Sequence, residues 1–136
     1  MQSLRALIAA AVLVAICACA SSPTATCKPG EQSAVQDTLY FGTAKPDGTV
    51  TADEWTDFLA SSVTPRFPQG LTVSHASGQW RGADGSIVQE STRVLQLVHP
   101  DDAPSERSVA EVAAIYKSRF QQEAVLRVRT RTCISF

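Results

Sequence analysis

The residues best suited to do chemistry are His99, Asp101 and Asp102, in the run His99-Pro100-Asp101-Asp102. An imidazole beside carboxylates can exchange protons near neutral pH or help to hold a metal. The same four residues also suit a turn into a helix, since Pro bends the chain and carboxylates are stabilised near the positive end of a helix. That second reading is the stronger one. His75 is the other histidine of the chain, and there is no H-E-x-x-H pattern and no paired-cysteine metal spacing. We therefore expect no metal and no cofactor.

Two stretches, Trp80-Arg81 and Pro65-Arg66-Phe67, set a guanidinium beside an aromatic ring, which can stack on or clamp an anionic ligand. Packing at the rim of a core uses the same residues and is the reading we prefer. Arg127, Arg129 and Arg131 alternate along one run, either as a basic stripe or as the charged guard of an edge strand. The chain as a whole carries 12 basic and 13 acidic residues, a balance that does not attract nucleic acid. No glycine-rich phosphate loop and no G-x-S-x-G elbow occurs, so nucleotide and α/β-hydrolase chemistry have no support.

The elements that would position these residues follow a processed N-terminus. Arg5 supplies a positive start, residues 6–16 form an apolar run too short to span a bilayer, and small residues follow. Within it, Ile16-Cys17-Ala18-Cys19 resembles the bacterial lipobox, which makes Cys19 the expected site of lipidation. Residues 1–18 are then a signal peptide, and the mature chain is exported and held at the cell envelope by its lipid. Cys27 and Cys133 remain in a compartment that permits disulfides. Either they pair as a clasp, which is our expectation, or both stay free thiols.

Residues 19–36 are rich in Ser, Thr, Pro and Gly and read as a tether, so the ordered domain is expected over residues 37–136. Asp37-Thr38-Leu39-Tyr40-Phe41-Gly42 predicts a short strand. Thr51-Ala52-Asp53-Glu54 is a capping-box pattern, and Trp55, Phe58 and Leu59 give the helix that follows one apolar stripe, stopped by Pro65 and Pro68. Residues 71–75 and 87–98 read as a hairpin around Asp84-Gly85. Ser108-Val109-Ala110-Glu111 predicts a second helix start, and residues 125–134 a last strand. The order β-α-β-β-α-β, with one apolar stripe per helix, predicts an α+β, ferredoxin-like domain: a four-stranded antiparallel sheet with two helices on one face. Leu39, Phe41, Val73, Leu95, Leu97, Leu126 and Val128 are expected to point at the helices. Tyr40, Ser74, Gln96, Arg127 and Arg129 are expected on the open face.

Leu39-Tyr40-Phe41-Gly42, Thr64-Pro65-Arg66-Phe67-Pro68-Gln69-Gly70, Gly78-Gln79-Trp80-Arg81, His99-Pro100-Asp101-Asp102 and the end Cys133-Ile134-Ser135-Phe136 stand in an order that resembles the bacterial domain-of-unknown-function family DUF3574. The likeness covers about residues 37–136. It implies a small exported protein, often a lipoprotein, and brings no assigned activity.

Two functional classes follow. In one, the domain is a non-catalytic envelope binding or assembly module whose open face, around Tyr40, Gln96, Arg127 and Arg129, takes a second copy, a protein partner or a small molecule. In the other, it is a small extracytoplasmic enzyme with a site built from Tyr40, Arg66, His75 or His99. A deep pocket gathering acid–base groups would favour the enzyme, and a flat face with scattered polar groups the module. We favour the module.

Overall fold

Period-two alternation places Val35, Asp37, Leu39 and Phe41 on one side of the first strand, and all four side chains are fully buried. The computed structural model describes residues 26–136. The expected signal peptide, the lipidated Cys19 and the start of the tether lie outside the described residues. The elements are β1 (Gln32–Gly42), the short pair β2 (Ala44–Lys45) and β3 (Gly48–Thr49), α1 (Ala52–Phe58), β4 (Thr72–Arg81), β5 (Ile87–His99), α2 (Ala103–Phe120) and β6 (Leu126–Ile134). The large sheet has the order β4-β5-β1-β6 with antiparallel neighbours throughout. This is the α+β, ferredoxin-like arrangement that the order of elements predicts.

Each helix closes one side of the core. Thr51 caps α1, its hydroxyl accepting from Glu54 N (3.2 Å) while the Glu54 carboxylate accepts from Thr51 N (2.8 Å). Lys45 donates to the same carboxylate at 2.7 Å, and these bonds hold the Glu54 carboxyl down to about 2. After α1 the chain widens into a π-helical turn over Leu59–Val63, and Thr64 N donates to Leu59 O at 2.9 Å before Pro65 ends the run. Trp55 and Phe58 of α1 meet Val109, Val112, Tyr116 and Phe120 of α2 over Leu39, Phe41, Leu95 and Leu97. Phe41 joins the sheet to both helices, its ring centroid 4.5 Å from Tyr116 and 5.4 Å from Trp55. The buried Tyr116 hydroxyl is satisfied by donating to Gly42 O at 2.8 Å, and burial pushes its ionisation well above the usual phenol range.

Three expectations need correction. β1 begins at Gln32, inside the expected tether, because Gln32 and Ser33 find ladder partners in Ile134 and Cys133 of β6. α2 begins at Ala103 rather than near Ser108: Asp102 caps it, accepting from Ser105 N at 2.8 Å, and Pro104 fits its first turn. Ser108 lies well inside the helix. Most consequentially, β6 presents the opposite face to that expected. The register sets Leu126 opposite Tyr40 and Val128 opposite Thr38, so both apolar residues share the open face with Tyr40, at 61% and 47% exposure. Arg127, Arg129 and Arg131 take the helix side. A one-residue shift in a period-two strand exchanges its faces, and a buried carboxylate on β1 fixes which face wins here.

Cys27 and Cys133 form a disulfide, with Cα atoms 5.6 Å apart, which suits a protein outside the reducing cytoplasm. The bridge joins positions 106 residues apart, so on the chain-entropy account its loss costs about 4–5 kcal/mol. We predict that Cys27→Ser and Cys133→Ser each lower the unfolding free energy measured in urea by that order and that the two changes together add little more. Strongly additive losses would show that the thiols act separately.

Candidate functional site

The buried carboxylate is Asp37. It lies in phase with Leu39 and Phe41, at zero exposure. His99 Nε2 donates to its Oδ2 at 2.8 Å, while Arg127 donates from Nε to Oδ1 (2.8 Å) and from Nη2 to Oδ2 (2.6 Å). Burial would raise the Asp37 carboxyl, but the Arg127 and His99 hydrogen bonds and charges outweigh it and hold the group below the usual carboxylate range. Arg127 also reaches Glu106 of α2, Nη1 to Oε1 at 2.5 Å and Nη2 to Oε2 at 2.9 Å. Arg129 donates to Glu106 (2.9 Å) and to Asp101, and Arg131 Nε donates to Asp101 at 3.0 Å. A chain of alternating charges therefore runs from the core to the surface beside the start of α2.

This network is a brace. His99 Nδ1 lies 2.8 Å from Pro100 O, and a carbonyl, like a carboxylate, can only accept. The imidazole is buried against the Phe67 ring, 5.9 Å away, with neither nitrogen free for a substrate.

The other candidates lie apart. Arg66 ties the turn after α1 to α2, with Nε donating to Glu111 (3.0 Å) and Nη1 to Ser62 O (2.8 Å). His75 is exposed on β4, opposite Arg93 in register. Tyr40 and Gln96 are exposed on the open face, as expected, and Arg127 and Arg129 are on the other. Tyr40 and His99 thus stand on opposite sides of the sheet. Cys27, Glu31 and Cys133 bring metal-ligating atoms within 4.8 Å, but both sulfurs are spent in the disulfide. No helix among the described residues is long and apolar enough to cross a membrane.

At the far end of the open face Tyr40, Trp80, Val88 and Leu126 line a groove of about 590 Å³, edged by Lys45 and Gln122. Its floor is kept low by Gly42 and Gly78, where a Cβ would come within 2.7 Å of the Glu90 carboxylate and 2.6 Å of Thr92 Oγ1. Glu90 is fixed there, accepting from the Thr43 and Ala44 amides (3.0 Å each) and from Trp80 Nε1 (3.1 Å). Its lining offers the aromatic faces of Tyr40 and Trp80 and the side-chain amides of Gln79 and Gln122. Sequence reasoning missed Asp37 and Glu106. The signal for Asp37 was its parity with Leu39 and Phe41; Glu106 carried none, because the start of α2 was misplaced.

Removing Arg127 strands Asp37 with half its partners, so Arg127→Ala should cost about 3 kcal/mol in urea unfolding, whereas Tyr40→Ala should stay within about 1 kcal/mol. The pH dependence has a definite sign. Asp37, Glu106 and Asp101 are all held below their ordinary values of 3.8 or 4.5, Glu106 chiefly by Arg127 and Asp101 chiefly by Arg131. The unfolded chain therefore binds more protons in that window. Their contribution is complete above the ordinary values and lost as pH falls through the depressed ones. Arg127→Ala should flatten this acid limb of the stability profile; an unchanged limb would remove the network as its source.

Comparison with known structures places the fold. The chain is similar to a phage SAM lyase in complex with S-methyl-5'-thioadenosine, at 14% identity and TM-score 0.59, covering 85% of this chain and 97% of that one. It is also similar to CutA from Synechococcus elongatus PCC7942, at 9% identity and TM-score 0.52, covering 76% and 80%. At such identities the likeness is one of fold alone. A search of curated proteins finds no match. Over residues 36–136 the sequence matches the family described as "Protein of unknown function (DUF3574)", and the chain belongs to that family.

Proposed function

We propose that this chain is an exported, lipid-anchored binding or assembly module of the cell envelope, working through its open sheet face. The observation that carries the reading is the unspent apolar surface there. Tyr40, Leu126 and Val128 are exposed on the neighbouring strands β1 and β6, with Leu126 directly opposite Tyr40, and Tyr40 and Leu126 line the groove beside Trp80. Contiguous exposed apolar surface on a small domain marks an interaction site. Export is supported by the N-terminal run and by the disulfide, and the anchor by the lipobox-like Ile16-Cys17-Ala18-Cys19. The small-enzyme alternative has less support, since Tyr40, Arg66, His75 and His99 do not converge and His99 is fully engaged.

Two measurements test this. Mass spectrometry of the mature protein should find an acylated N-terminus at Cys19; a free end beyond it would make the protein a soluble secreted one. The dye 8-anilinonaphthalene-1-sulfonate should brighten on the wild-type protein and do so several-fold less on the double variant Leu126→Glu, Val128→Glu, with stability changed by no more than about 1 kcal/mol. An equal response would remove the open face from the proposal.

A further inference from the structure

A carboxylate lines the open-face groove with no cation to match it. Glu90 reaches across the sheet to Gly42, whose missing Cβ leaves it room, since a methyl there would come within 2.7 Å of Oε1. Its three donors are neutral: Thr43 N and Ala44 N on Oε2, at 3.0 Å each, and Trp80 Nε1 on Oε1, at 3.1 Å. Fastening the turn after β1 thus uses Oε2, and Oε1 keeps a lone pair to offer. The bases around it are committed or turned away. Lys45, the base in the lining, gives its ammonium to Glu54 at 2.7 Å and approaches Asp47 at 3.9 Å, while Arg93 sits opposite Phe41 on the helix side. Glu123 adds a second acid, exposed at the rim. The groove therefore holds a negative field between largely apolar walls.

Two aromatic rings stand beside this charge. Tyr40 and Trp80 are 37% and 46% exposed in the groove, whereas the rings of Phe41, Trp55, Phe58 and Tyr116 pack on one another on the helix side. The hydrogen bond from Trp80 Nε1 turns the edge of the indole to Glu90 and fixes the ring beside it. An aromatic face attracts a cation, and a neighbouring carboxylate adds to the pull. Whatever fills the groove must also take water from Glu90. A neutral or anionic occupant leaves that charge desolvated and unpaired, and a cation compensates it.

We infer that the groove binds a small organic cation, an alkylated ammonium carried on an apolar or aromatic body. The inference rests on the reading of the open face as a binding surface and names what this end of it takes. The ammonium lies against Glu90 Oε1 and the two rings, and the body along Val88 and Leu126. A volume of about 590 Å³ suits a small molecule. A metal ion fits poorly, because it needs several oxygen ligands to replace its water and the apolar walls supply none.

The probe is benzyltrimethylammonium, and its control is phenylmethanesulfonate, which carries the opposite charge on the same ring. Calorimetric titration of the chain from residue 19 with Cys19→Ser, which retains every described residue, should show saturable binding of the cation and about tenfold weaker binding of the anion. In NMR spectra the indole N–H signal of Trp80 should shift with the same saturation, while that of Trp55, in the core, stays still. Glu90→Gln, which keeps the shape and removes the charge, and Trp80→Leu, at an exposed position, should each weaken the cation about tenfold. Circular dichroism checks that each variant folds. No saturable binding of the cation overturns the inference, as does equal binding of the anion or unchanged affinity in either folded variant. If the dye response of the open face depends on Leu126 and Val128 while the cation does not bind, the face stands as an interaction surface and its cationic occupant falls.

Discussion

The structure depends on the charge of Asp37. A carboxylate with no exposure is costly to bury unless it is paired and hydrogen-bonded, and no backbone amide is free in a central strand to do this. The partners come from three other elements: His99 from the end of β5, Arg127 from β6 and, through Arg127, Glu106 from α2. The pairing fixes the phase of β6, since Arg127 must point inward. Period two then sends Arg129 and Arg131 to the same side and Leu126 and Val128 to the other. The exposed apolar face is thus a consequence of one buried acid.

Such a network is expensive compared with an apolar core of the same shape, and its physical return is specificity of register. An apolar β6 could slide by two residues with small loss. A bidentate Arg127 on Asp37 cannot, because the guanidinium fork and the carboxylate match in one position only. The disulfide adds a second pin at the far end of the same strand pair, where Ser33 lies opposite Cys133. Register is held at two points while the open face stays free.

Much of this was legible in the sequence, and the failures share a cause. Thr51 and Glu54 announce α1 because a capping box is local chemistry, and Phe41, Trp55 and Phe58 announce the core because their spacing is periodic. Asp102 serves the helix start that the run His99-Pro100-Asp101-Asp102 suggests, as its cap, and Asp101 binds two arginines, whereas His99 ends β5 and is buried against Asp37. The face of β6 was not legible from its own residues. Leu126-Arg127-Val128-Arg129 alternates cleanly, and hydrophobicity assigns the leucine inward. Asp37, ninety residues earlier in the chain, reverses that assignment, and its own sequence context marks it as the start of a strand, not as a core position. Likewise, Ser108 and Glu111 imitate a capping box inside a helix whose true cap, Asp102, precedes a proline. Local patterns identified elements; long-range pairing chose their faces.

The placement of the termini bears on how the open face is presented. With the proposed lipid on Cys19, seven residues would separate the anchor from Cys27, a reach of at most about 29 Å even if fully extended. Cys27 is fixed to Cys133, at the end of the sheet where β1 begins and β6 finishes. The groove lies at the opposite end of β1, beside Tyr40 and Gly42. The disulfide therefore does more than restrict the unfolded chain. If Cys19 carries the proposed lipid, the bridge would tie that anchor to the end of the sheet opposite the groove. A free thiol at Cys27 would lengthen the effective tether and let the domain turn. On the proposed anchor, attachment and orientation would be one covalent device.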